Sequence, residues 1–165
     1  MPVVLFRVDE RLIHGQVVVG WGARLRPDRI VVVDDELARS EWEQELYSLG
    51  TPPGIEASFH TVEEARGALP RWRSGPERII ILTRDVQTMH RLAEGGLLRG
   101  EEVNIGGIHH GPGRRAVLPY VYLHADEERE LEALEREGAS VSARDLPSSR
   151  AHGLDELLRR ERGRS

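Results

Sequence analysis

The segment Arg7-Val8-Asp9-Glu10-Arg11-Leu12-Ile13-His14-Gly15-Gln16-Val17 places a carboxylate, a guanidinium and an imidazole within the six residues from Asp9 to His14. That set suits phosphoryl chemistry. A neutral His14 could accept a phosphoryl group and Arg11 could pair bidentately with its oxygens. Asp9 could take a hydrogen bond from the far imidazole nitrogen and so fix the tautomer. If Gly15, Gln16 and Val17 open a helix, their free amides and the positive helix end favour a dianion beside His14. The segment has neither the G-x-G-x-x-G spacing of a dinucleotide site nor the G-K-[ST] of a P-loop, so the two commonest nucleotide readings lose their support. The plain alternative is a helix-capping histidine beside a surface ion pair worth about 0 to 1 kcal/mol, and spacing alone does not separate the two.

Composition removes other chemistries. With no cysteine there is no disulfide, thiolate metal site or Cys nucleophile. All 23 basic residues are Arg, so a lysine Schiff base is excluded as well. The net charge of −5 argues against nucleic acid as a partner and leaves proteins and small molecules. The seven histidines, His14, His60, His90, His109, His110, His124 and His152, show no ligand spacing of the H-E-x-x-H kind, so neither metal nor cofactor is expected. Asp34 and Asp35 are read as helix N-caps, and Gly106-Gly107 after Asn104-Ile105 as a tight turn. Trp21, Trp42 and Trp72 are too far apart for a stacking platform and are assigned to packing.

Such side chains need a frame. At 165 residues, 39% apolar and 31% charged, the chain is read as one globular domain, 1–165. Apolar runs recur at Val3 to Val8, Arg29 to Asp34, Ile55 to His60, Arg78 to Leu82, Glu102 to Ile105, Val117 to Leu123 and Ala139 to Ala143. Helix-like segments lie between them, which predicts an α/β fold: a Rossmann-like open, mostly parallel sheet with helices on both faces. Thr61 to Glu64 reads as a capping box and Pro70 as that helix's end. Leu131 and Leu134 form the apolar stripe of a helix from Asp126 to Glu137. A short helix from Leu154 to Arg162 carries arginines at its negative end. In such a sheet ligands bind beyond the carboxyl ends of the strands, where the loop holding His14 falls. No run approaches the roughly 20 apolar residues of a membrane span, and the start lacks a signal-peptide pattern, so the expected compartment is the cytoplasm.

The stretch from Arg7 to Val17, followed by Trp21, resembles the R-[IV]-D-[DS]-R-L-I-H-G-Q-V…W signature of the enzyme IIB component of the mannose/fructose/sorbose family of the bacterial sugar phosphotransferase system (PTS). The likeness continues through Val32 to Ala38, Pro52-Pro53-Gly54, Val103 to Gly107 and Pro147-Ser148. It implies a phosphocarrier, a protein-N(pi)-phosphohistidine sugar phosphotransferase, that takes a phosphoryl group from a phosphohistidine of IIA. The group would pass to a sugar held by the membrane components IIC and IID, with the carrier peripheral to the inner membrane through them. The resemblance aligns His14 with the phosphorylated histidine, on Nδ1, Arg11 with the family arginine and Asp9 with the loop aspartate. Gly15 and Gln16 would bind phosphate. Arg7, Arg84, His109, His110 and Arg114 would line a positive docking rim, and a homodimer is left open. Glu10 stands where Asp or Ser is commoner, and Ile108-His109-His110-Gly111 replaces a segment that usually lacks paired histidines. A regulatory or binding module of the same fold is the rival reading, and a metabolite-binding Rossmann-like domain the weaker third.

Overall fold

The computed structural model describes residues 3–162, with the backbone alone considered for 159–162. Strands β1 (Val3–Val8), β2 (Arg29–Val33), β3 (Glu56–His60), β4 (Ile79–Thr83), β5 (Glu102–Ile105) and β8 (Ser140–Ala143) pair in parallel, and β9 (His152–Gly153) joins β8 antiparallel. The order across the sheet is β3-β2-β4-β1-β5-β8-β9. The chain leaves β1 towards β2 and β3, returns through β4, and crosses to β5 on the other side. The strand order therefore reverses around the carboxyl end of β1, the place where open α/β sheets bind ligands.

Helices α3 (Val62–Ser74) and α4 (Val86–Ala93) follow the parallel strands β3 and β4, α5 (Ala125–Arg136) leads into β8, and α6 (Leu154–Arg162) follows β9. A core of Val8, Ile81, Leu69, Leu92, Leu131 and their neighbours fills one face of the sheet, and a smaller one of Leu12, Val17, Val32, Leu37 and Leu82 fills the other. Central β4 is buried at every position, as expected of a strand covered on both faces. The second face is covered by a π-helical segment, Gln16–Trp21, running into α1 (Gly22–Leu25), and by α2 (Glu41–Leu49).

Local expectations hold where side-chain chemistry is local. Thr61 and Glu64 form the capping box. Asp34 and Asp35 are not themselves N-cap residues, but their carboxylates do meet helix starts: Asp34 Oδ1 accepts the Leu37 amide at 2.9 Å and Asp35 Oδ1 the first amide of α3 at 2.9 Å. Three expectations fail. Trp42, assigned to packing, is 66% exposed on α2, a helix with no buried residue. Pro70 lies inside α3, which runs on to Ser74 because Leu69 and Trp72 bury its last turn, and that packing outweighs one missing amide bond. The run from Val117 to Leu123 is not one strand but part of a hairpin, β6 (Arg115–Leu118) and β7 (Val121–Leu123), turning at Pro119-Tyr120. The expected role of the last arginines of α6 lies outside the described side chains.

Candidate functional site

The loop after β1 is tied to both neighbouring strands. Asp9 N donates to the Thr83 carbonyl at the end of β4 (3.0 Å), while Gly106 N donates to the Val8 carbonyl (2.7 Å) and Glu10 N to the Gly107 carbonyl (2.8 Å), beyond β5. The chain then folds back through a turn closed by Leu12 N on the Asp9 carbonyl (3.0 Å). Leu12 takes the left-handed conformation, φ +56°, at a cost of roughly 1 to 2 kcal/mol for an L-residue. Its side chain is wholly buried in the second core, which offsets the strain. The turn sets His14 above Asp9.

Asp9 is the hub. Its wholly buried carboxylate accepts His14 Nε2 at 3.0 Å and Arg7 Nη2 at 3.1 Å on Oδ2, and the Arg11 amide at 3.0 Å and Arg11 Nε at 3.3 Å on Oδ1. Burial alone would raise its pKa. The hydrogen bond from His14 and the charge of Arg7 outweigh that and hold it well below the ordinary carboxylate range. A carboxylate can only accept, so His14 carries its proton on Nε2 and leaves the Nδ1 lone pair free.

Arg7 supports Asp9 from within the sheet. It stands in register with Asn104 of β5, whose Oδ1 accepts from Nη1, and the carbonyls of Arg144 and Asp145 accept from Nη1 and Nη2 at 2.9 and 3.2 Å. The guanidinium lies 5.3 Å from the Trp21 ring centre, and Trp21 Nε1 donates to the same Asp145 carbonyl at 3.0 Å. A methyl group on Gly106 would overlap that guanidinium, and one on Gly107 would press Arg11 at 3.1 Å. These glycines thus serve close approach; neither has the positive φ of a tight turn.

Arg11 spans Asp9 and Gln16, whose Oε1 accepts from Arg11 Nη2 at 2.7 Å, and about a third of its side chain stays exposed. The His14 carbonyl takes the amides of Val17 and Val18 at 3.0 Å each, so Val17 is not free for an anion as expected. The Gly15 and Gln16 amides make no backbone bond outside the helical segment.

Two rim assignments change. Arg7 is wholly buried and forms no part of an exposed rim, because it is the counterion of Asp9 inside the sheet. Arg114 is paired with Glu10 at 2.9 Å and Glu127 at 2.8 Å, so its charge is spent within the fold. Glu10 thereby ties the loop to the segment after β5. Arg84 keeps over a third of its side chain exposed, with Asp34 3.8 Å from its Nε. His109 and His110 are exposed; Glu10 accepts the His109 amide, and His110 meets the Tyr122 ring edge-on at 5.6 Å. Sequence reading missed Asn104 and the carbonyls of Arg144 and Asp145 as partners of Arg7. An arginine inside the apolar run of a strand was the signal that could have pointed to a need for such partners.

The profile of the family described as "PTS system sorbose subfamily IIB component" matches residues 3–165. The chain belongs to that family. The chain of this PTS IIB component is 30% identical over 146 residues to "N-acetylgalactosamine-specific phosphotransferase enzyme IIB component 1" of Escherichia coli (strain K12), covering 88% of this chain and 91% of that relative. It is 34% identical over 140 residues to the "PTS system mannose-specific EIIAB component" of the same organism, covering 82% of this chain and 41% of that one. Among solved structures, the IIBSor domain of the sorbose permease from Klebsiella pneumoniae superposes with a TM-score of 0.85 at 25% identity, covering 96% of this chain and 98% of that one. As a PTS IIB component the chain is part of a sugar phosphotransferase system. Among the described residues, no helix is long and apolar enough to cross a membrane.

Proposed function

We propose that His14 is the phosphoryl carrier of this chain, receiving the group from a phosphohistidine of IIA and delivering it to a sugar held by IIC and IID. The bond from His14 Nε2 to the buried Asp9 carboxylate carries this reading, since it leaves Nδ1 unprotonated and available. In the first transfer the Nδ1 lone pair forms an N–P bond as the donor's N–P bond breaks. Nε2 keeps its proton, and the positive charge that grows on the imidazole faces Asp9. In the second, a sugar hydroxyl oxygen bonds the phosphorus as the Nδ1–P bond breaks; His14 leaves neutral, its proton still on Nε2, and the hydroxyl proton is released to solvent. The transition state of such transfers is loose, so catalysis is positioning plus charge on the equatorial oxygens, which Arg11 and the Gly15 and Gln16 amides would supply. Gly15 has an ordinary φ of −51° and no atom within 4 Å of where a Cβ would stand, so packing does not demand glycine there; its smallness suits an incoming donor.

The EIIAB name of the mannose-specific relative supports IIA as the donor class. Arg84, His109 and His110 would border the docking face. The whole chain, 1–165, would act as one domain at the cytoplasmic side of the membrane. Labelling with phosphorylated IIA tests the assignment. Wild type should take acid-labile, base-stable label, and His14→Ala should take none. Full labelling of His14→Ala at another histidine would defeat it, and label lost in base as well as in acid would point to an acyl phosphate on Asp9, Asp34 or Asp35.

A further inference from the structure

Helix α2 (Glu41–Leu49) turns its apolar side to solvent. Trp42, Leu46 and Leu49, at i, i+4 and i+7, fall on one stripe and are 66, 57 and 83% exposed, and no residue of the helix is buried. Its inner side is held by a polar and an aromatic contact: Gln44 Nε2 donates to the Leu37 carbonyl at 2.9 Å, and the Tyr47 ring lies 6.5 Å from Phe59. An amphipathic surface helix ordinarily buries its apolar stripe, so this one is reversed. Isolated surface leucines need no explanation, but three large apolar side chains in one stripe mark an interaction surface. The same side of the sheet carries Val19, 69% exposed, on the π-helical segment that begins two residues after His14.

Charge narrows the occupant. Glu41, Glu43 and Glu45 flank the stripe, and the sequence from Ser40 to Ala65 holds no arginine in a chain that has 23 basic residues. An acidic border repels the same face of a second copy, and it repels the anionic surface of a lipid leaflet. It fits an apolar groove bordered by Lys or Arg. The cytoplasmic loops of polytopic membrane proteins carry that excess of Lys and Arg.

We propose that the outer face of α2 is the surface by which this chain docks on its membrane-embedded sugar permease, Trp42, Leu46 and Leu49 filling an apolar groove and Glu41, Glu43 and Glu45 meeting its basic border. The proposal rests on the phosphocarrier reading, in which the phosphoryl group leaves His14 for a sugar in the membrane.

Co-sedimentation of the full chain tests it, with inverted membrane vesicles carrying the cognate IIC and IID and with protein-free vesicles of phosphatidylethanolamine and phosphatidylglycerol. Wild type should pellet with the former only, and less at high salt. Trp42→Ser with Leu49→Ser should weaken this by about tenfold or more, the scale expected when an aromatic anchor is lost. Glu41→Arg with Glu45→Arg should weaken it too, by charge alone. Both variants should accept phosphoryl from IIA at the wild-type rate. Undiminished pelleting of both variants would overturn the proposal. So would pelleting with protein-free vesicles, loss of transfer from IIA, or a wild-type dimer in solution that the apolar variant abolishes, which would assign the face to lipid, donor or second copy. Sedimentation requires no phosphoryl transfer, so a His14 that fails to take label would count against the phosphocarrier reading and leave the docking result readable.

Discussion

Asp9 serves two demands at once, since the carboxylate that balances the buried Arg7 also orients His14. Removing its charge should therefore be felt in both stability and rate. Asp9→Asn leaves Arg7 buried without a counterion and should cost roughly 3 to 5 kcal/mol, measured by urea unfolding near neutral pH. Its folded pKa is depressed, so its contribution to stability is complete above the unfolded carboxylate value of about 3.9 and fades as pH falls through the lower native value. The gap between wild type and Asp9→Asn should accordingly narrow only in strong acid; a gap that closes between pH 5 and 7 would show that Asp9 is not held down in this way. Arg11, about a third of it exposed while Arg7 already balances Asp9, is expected to act mainly on rate. Arg11→Ala should slow transfer from IIA by roughly two to three orders of magnitude and Arg11→Lys should recover part of it, because a point charge lacks the guanidinium fork. Unchanged transfer in a folded Arg11→Ala would place Arg11 outside the site.

At the scale of elements, the site is a strand end flanked by two others, and its tolerances follow from how closely they approach. Gly106→Ala would drive a methyl group into the Arg7 guanidinium and should destabilise the fold by about 1 to 3 kcal/mol. The Arg114 bridge joins the His14 loop, through Glu10, to Glu127 in the first turn of α5. Arg114→Glu should lower the melting temperature, and an unchanged melting temperature would show the bridge to be slack. The parallel sheet, its strands and the loop holding His14 were legible in the sequence because β-branched runs and capping residues act locally. The split of Val117 to Leu123 into a hairpin was not, since its apolar pattern is continuous and the turn rests on Pro119. Asp9, Arg11 and His14 could be read as a group from spacing. The burial of Arg7 could not, because it depends on Asn104 and on carbonyls 137 and 138 residues away.

Taken as a whole molecule, the protein carries a net charge of −5, yet as the proposed phosphocarrier it would have to admit a dianionic donor at one edge. With Arg7 buried and Arg114 paired, the steering charge falls to Arg11 and Arg84, a smaller positive rim than the arginine spacing suggested. Transfer from IIA should still slow as salt rises, with Arg84→Glu lowering association more than the transfer step itself. A salt-independent second-order rate would show that no such rim operates. In the proposed mechanism Asp9 holds the proton on Nε2 and so commits Nδ1 to the phosphoryl group. NMR of uniformly 15N-labelled protein, phosphorylated by IIA, reads this directly through the imidazole nitrogens of His14. Phosphorus should sit on Nδ1 with Nε2 still protonated; phosphorus on Nε2, or on any residue other than His14, would refute that assignment.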